Sequence, residues 1–184
     1  VVGWRQIKKE KGDKYMDTDN RQTLNVQGRA GMTTINQNKL NMTVDLLNDL
    51  IVTNRGIINI FHTAVERLDD AANAKLLQGY MEQFKTFVPE LSNMVVKYGG
   101  TPATAADGGS LLKQAWVTLK AAVTDGDGAI LDELSQNAAK VLGEYGTAMG
   151  EDLPDDVRNL VRKHMSEINL AHEKLSALSG VYDK

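Results

Sequence analysis

A chain of 184 residues with 42% hydrophobic composition can close one core but is short for two domains, and it has no apolar run of the roughly 18–20 residues that span a bilayer, so a soluble single domain is predicted. The absence of cysteine excludes disulfides, thiolate metal sites and a cysteine nucleophile, and leaves the cytoplasm and the cell exterior both open. The formal net charge of -3 conceals an asymmetry: residues 1–39 hold eight Lys/Arg against four Asp/Glu, net +4, which leaves 13 against 20, net -7, for the remainder.

Residues 1–38 have no 3.6-residue periodicity and are rich in Asn, Gln, Thr, Gly and charge, which predicts an extended, basic arm. Thr23–Gln27, with Leu24 and Val26, and Met32–Ile35 alternate as strands do when a pairing edge is offered, and Val1, Val2 and Trp4 form a compact apolar anchor. A floppy tail is the competing expectation. Nucleic acid is a poor match for the positive charge, because the acids are interleaved and no recognition helix is in view. The valine at position 1 is compatible with a processed or trimmed product, so localisation stays open.

The rest, residues 39–180, reads as a helical bundle. The first long helix is predicted over 40–69, with Leu40, Val44, Leu47, Ile51, Asn54, Ile58, Phe61, Val65 and Leu68 in unbroken 4,3 spacing, widened by Leu46, Leu50, Ile57 and Ile60. The second, over 71–98, repeats the pattern through Leu77, Tyr80, Phe84, Phe87, Leu91, Met94 and Tyr98. Off its stripe lies Pro89, where a kink or bulge is expected because a backbone donor is lost and the Lys85 carbonyl is crowded. Gly99-Gly100-Thr101-Pro102 is a strong stop. A short helix over 110–123, carrying Leu111, Leu112, Ala115, Trp116, Leu119 and Val123, suits a crossover between bundle halves. The third long helix is expected over 129–149 on Leu131, Leu134, Ala138, Val141, Leu142, Tyr145 and Met149. The fourth begins near Pro154, with Asp155 and Asp156 at the positive end of its dipole and Val157, Val161, His164, Ile168, Ala171, Leu175 and Leu178 on its seam.

Few residues suggest chemistry. A metal pair inside a bundle needs Glu or His from each helix, commonly as Glu-x-x-His, and that motif is absent. Weak candidates for metal are His62 with Glu66, Glu82 with Glu90, Glu133 or Glu144, and His164 with Glu167, all pairs that solvated helix faces produce routinely. His164 and Asn54 are both seam positions near the middle of their helices. A hydrogen bond between them would satisfy two buried polar groups and set register, a structural role that outweighs catalysis by a histidine with no aligned carboxylate or nucleophile. Thr124-Asp125-Gly126-Asp127-Gly128 fails as a calcium loop, since Val123 and Leu134 would stand where acids belong. Asp127 is expected instead to accept amide hydrogen bonds at the start of its own helix. No phosphate loop, Gly-x-Ser-x-Gly or nucleophile triad is present in the sequence.

Over about 46–178, Leu47-Asn48-Asp49-Leu50-Ile51, Tyr98-Gly99-Gly100-Thr101-Pro102, Trp116–Ala122, Ala129–Glu133, Tyr145, Leu153-Pro154 and Ala171-His172 together resemble a bacterial family of ferritin-like four-helix-bundle proteins of unknown function. The resemblance implies inward glutamates, with Asn59 and Ala138 standing where members usually have Glu, so this chain would lack acids that a di-iron centre requires while Glu133 and Glu167 remain. The arm lies outside the resemblance. The combined expectation is an all-α, ferritin-like four-helix bundle with a short crossover helix and an extended, β-capable arm. Its function would be a non-enzymatic, self-assembling structural protein, in which Val1, Val2, Trp4, Leu24, Val26 and Ile35 dock on a neighbouring copy. A homo-oligomer or filament would result, extracellular in the filament case. The alternatives are a ferritin-like stress protein binding iron or manganese, and a small partner-binding module with a disordered tail.

Overall fold

The computed structural model describes residues 36–104 and 126–182, whose regular elements are all α-helices, with no strand among them. The helices are α1 (36–65), α2 (Ala71–Lys97), α3 (Asp127–Gly150) and α4 (Asp155–Tyr182). The chain divides into two compact units, Val1–Met42 and Thr43–Lys184. Of the first, only 36–42 are described, and they are helical. The second unit holds the bundle. The strand-capable segments of the arm, its six docking residues and the crossover helix expected over 110–123 lie outside the described residues.

Two boundaries differ from the sequence expectation. Residues 36–38 are already helical, although the spacing predicts an arm that reaches 38. At its other end α1 stops at 65 rather than 69. The amides of Arg67 and Leu68 both turn back to the Ala64 carbonyl, and Asp70 closes the turn by accepting from the amides of Ala72 and Asn73 as the N-cap of α2. Asp127 also acts differently from the cap expected of it. Its two carboxylate oxygens accept the amides of Asp69 and Asp70, at 3.0 and 2.9 Å, so it ties the start of α3 to the α1–α2 turn instead of capping its own helix. The N-cap of α3 is Gly126, at φ 89°, with no side-chain bond.

Cross-helix contacts give the topology. Phe61 meets Phe84, Gln83 bonds Glu167, Asn73 bonds Tyr182 and Ser135 meets His172, so α1 runs antiparallel to α2, and α4 runs antiparallel to both α2 and α3. The starts of α2 and α3 therefore lie at the same end of the bundle, and the two helices run parallel. Between the helices lies one core that includes Leu47, Ile51, Phe61, Leu77, Phe84, Phe87, Leu91, Leu131, Leu134, Val161 and Leu175. α2 runs as one helix through the exposed Pro89.

The far end is tied by polar groups. Asn48 on α1 reads the strap after α2 with both ends of its amide, donating to the Thr101 carbonyl and accepting from the Ala103 amide, while Arg55 donates to the Ala103 carbonyl. Lys97 and Tyr98 bond Asp156 at the start of α4. Those two donors hold the Asp156 carboxyl down at about 2, and burial beside that carboxylate pushes the Tyr98 phenol up to about 12. Gly99, at φ 82°, ends α2, and the Gly100 amide then bonds the Val95 carbonyl.

Gly100 is packed so tightly that a Cβ there would enter the side chain of Val44, with Val95 3.1 Å away on another side. A β-branched neighbour has little freedom to turn aside. Gly100→Ala is therefore expected to lose about 1–3 kcal/mol, the usual cost of overpacking. Gly79→Ala, at an exposed helical position with nothing within 4 Å of the added carbon, should gain up to about 1 kcal/mol. Urea unfolding of the two variants checks both signs.

Candidate functional site

The most distinctive polar feature of the described interior is a chain of hydrogen bonds that crosses it from α1 to the rim. Asn54 (α1), Tyr145 (α3) and His164 (α4) are fully buried, each set on its helix among apolar seam residues that bring it inward. The Asn54 amide nitrogen donates to the Leu50 carbonyl and to the Tyr145 hydroxyl, both at 2.7 Å. Because the Leu50 oxygen can only accept, the amide nitrogen must face it, and the orientation of Asn54 is settled. Tyr145 Oη lies 3.3 Å from His164 Nδ1, and His164 Nε2 lies 2.8 Å from Glu90 Oε2 on α2. Lys163 Nζ reaches both oxygens of Glu90 at 3.1 Å.

The direction of each bond is set by its neighbours. Burial favours the neutral imidazole and Glu90 is held ionised, so the single ring proton belongs on Nε2, where it meets the carboxylate, and Nδ1 is left to accept from the Tyr145 hydroxyl. Burial lowers the His164 pKa below its ordinary value, against the opposing pull of Glu90. The hydrogen bond from His164, assisted by Lys163, lowers that of Glu90. The Tyr145 phenol is driven upward, first by burial. On one face of the imidazole lies the Phe87 ring, 3.9 Å away and tilted by only 14°. Asn54 Oδ1 is buried without a hydrogen-bond partner, an unsatisfied acceptor of the kind that costs about 1–3 kcal/mol.

Asn54 and His164 thus share one network, but Tyr145 stands between them and no direct bond joins them. The residues expected as metal ligands are scattered. His62 and Glu66 face each other at 3.8 Å on the exposed side of α1, and Glu82 pairs with Lys85. Glu133 is buried and bonded to Asn137 in its own helix, while Glu167 accepts from Gln83. Both nitrogens of His164 are engaged. Among the described residues no three of His, Cys, Asp and Glu converge as a metal site would require. Of the two positions expected to have lost inward acids, Ala138 is buried, whereas Asn59 is exposed and faces outward. The described residues do not bring together the ligands of a di-iron pair.

Along the sequence Tyr145 is a seam residue and Glu90 is half of a surface pair, and spacing joins neither to His164. One signal points to a polar partner: a tyrosine on a fully apolar stripe must satisfy its hydroxyl somewhere in the core. Nearer the other end of the bundle, Ser135 and His172 meet at 3.1 Å. His172 Nδ1 is equally close to the Ser135 carbonyl, which can only accept, so Nδ1 carries the proton and is no base for the hydroxyl.

A family model described as "Domain of unknown function (DUF2383)" matches residues 42–151, which include all of α2 and α3, and the chain belongs to that family. No curated protein matches the sequence. No helix among the described residues is long and apolar enough to cross a membrane.

Proposed function

We propose that this member of the DUF2383 family is a non-enzymatic building block that associates with copies of itself, its basic first 38 residues docking on the acidic bundle of a neighbour. The charge partition carries the reading: +4 on residues 1–39 against -7 on the rest. Bundle geometry supports it. Lys85, Lys97 and Lys163 are each paired with an acid of the bundle itself, Glu82, Asp156 and Glu90. Asp45, Asp49, Glu144, Glu151 and Asp155 remain among the exposed acids. An incoming basic segment would meet this surplus, and complementary charge of this kind steers encounter and sets register. The arm belongs to one copy and its acceptor surface to the next, so the contact is heterologous and builds a ring or an open filament unless its geometry closes early.

The test is light scattering with negative-stain microscopy on the full chain and on a version lacking residues 1–38. Large regular particles or fibres are expected from the full chain alone, and they should dissociate as salt screens the charge contact. If the two versions are the same small species, self-assembly through the arm is wrong.

A further inference from the structure

The geometry points to Tyr145 as a redox-active tyrosine, a reversible one-electron donor to an oxygen-centred radical, with His164 and Glu90 as the relay that takes up its proton. The hydrogen-bond directions carry this. Tyr145 Oη lies 3.3 Å from His164 Nδ1 and His164 Nε2 lies 2.8 Å from the Glu90 carboxylate on the rim, and a neutral ring with its proton on Nε2 leaves Nδ1 as the acceptor for the phenol. Phenols resist deprotonation, and burial deepens that resistance here. A phenol that has lost an electron becomes a strong acid, and a base already in place lets electron and proton leave together.

Electrons and protons balance in this step. The oxygen-centred radical takes one electron from Tyr145 and becomes its anion. The Tyr145 O–H bond breaks and its proton joins His164 Nδ1; the His164 Nε2–H bond breaks and that proton joins Glu90 Oε2. A neutral tyrosyl radical, a neutral imidazole protonated at Nδ1 and a protonated Glu90 result, with no charge left in the apolar core. Return of one electron reverses every transfer.

The other described tyrosines lack this arrangement. Tyr98 donates to Asp156, but that carboxylate is committed to Lys97 as well and is a feeble base. Tyr182 Oη accepts from Asn73. Tyr145 alone among the described tyrosines bonds an imidazole, and it is fully enclosed by protein, which slows the radical couplings that consume exposed tyrosyls. The inference stands apart from the assembly reading, since it uses no residue of the arm.

The experiment oxidises the full chain with photoexcited ruthenium tris(bipyridine) and persulfate, and tracks the product by freeze-quench electron paramagnetic resonance. Wild type should give a radical whose spectrum narrows when ring-deuterated tyrosine is incorporated and whose formation slows in heavy water. Tyr145→Phe, which keeps the packing, should lose most of that signal while circular dichroism stays helical. His164→Gln should preserve the hydrogen bonds but accept no proton, slowing formation by about 100-fold or more, the scale of a positioned general base. Glu90→Gln should slow it less, because only the second transfer is blocked. A tyrosyl signal of wild-type size in Tyr145→Phe, no solvent isotope effect, or no tyrosyl signal from wild type would each overturn the inference.

Discussion

Phe87→Ala is expected to destabilise the bundle by about 3–5 kcal/mol, the range for truncating a fully buried aromatic. That is a large part of the roughly 5–15 kcal/mol that holds a domain of this size together. Phe87 is 0% exposed, lies 5.5 Å from the Phe84 ring, and covers one face of His164 at 3.9 Å. Alanine would leave a cavity and also uncover the imidazole, whose two nitrogens are fixed by Tyr145 and Glu90 but whose plane is set by the stack. The damage should therefore reach the polar chain. Phe87→Leu, which keeps most of the volume, should recover more than half of the loss. Urea denaturation of the three proteins decides the matter, and a Phe87→Ala loss below about 1 kcal/mol would mean that this ring is not in the closed core described.

Stability should also fall as the medium becomes mildly acid. The His164 pKa is lowered from 6.5, so the unfolded chain takes up a proton at this residue before the folded chain does. The stabilisation is complete above the unfolded value, fades as pH drops below it, and stops fading once the folded imidazole itself protonates. Within that window the slope approaches about 1.4 kcal/mol per pH unit, one proton's worth. The groups that bear on the ring are Tyr145, Glu90, Lys163 and Glu167. Glu90 and Glu167 favour the charged ring and Lys163 opposes it, but burial outweighs the carboxylates. Glu90 adds a second loss at lower pH, since a carboxylate held below 4.5 stabilises the fold above that value and ceases to as it protonates. His164→Gln can accept from Tyr145 and donate to Glu90 without titrating. Its baseline stability should be lower, but its loss between pH 7 and 5 should be shallower than wild type. Equal slopes in the two proteins would show that His164 does not stay neutral in the fold.

Much of the architecture could be read along the chain, and for a simple reason. Which face of a helix a residue occupies depends only on spacing within that helix, so the 4,3 runs through Leu47, Ile51 and Phe61, and through Val157, Val161 and Ile168, correctly placed those residues in the core. Gly99-Gly100 announced the end of α2 because the left-handed cap is a local backbone requirement. Asn54 and His164 stood out for the same reason, as polar residues on apolar seams.

Contacts between helices depend on something the spacing does not contain: the rotation and axial stagger of each helix against its neighbours. Tyr145 lies between Asn54 and His164, 91 positions along the chain from Asn54, and Glu90 reaches His164 across 74 positions. Asp127 has its partners in a turn 57 and 58 residues earlier rather than in its own first turn. Asn59 faces solvent although the family resemblance set an inward acid there. The sequence by itself determined the helices, their buried faces and the charge imbalance between arm and bundle. Only the tertiary structure decided that four side chains from four helices form one directed chain of hydrogen bonds, because a bond of about 3 Å is made or lost by a shift far smaller than the 5.4 Å pitch of the helix that bears it.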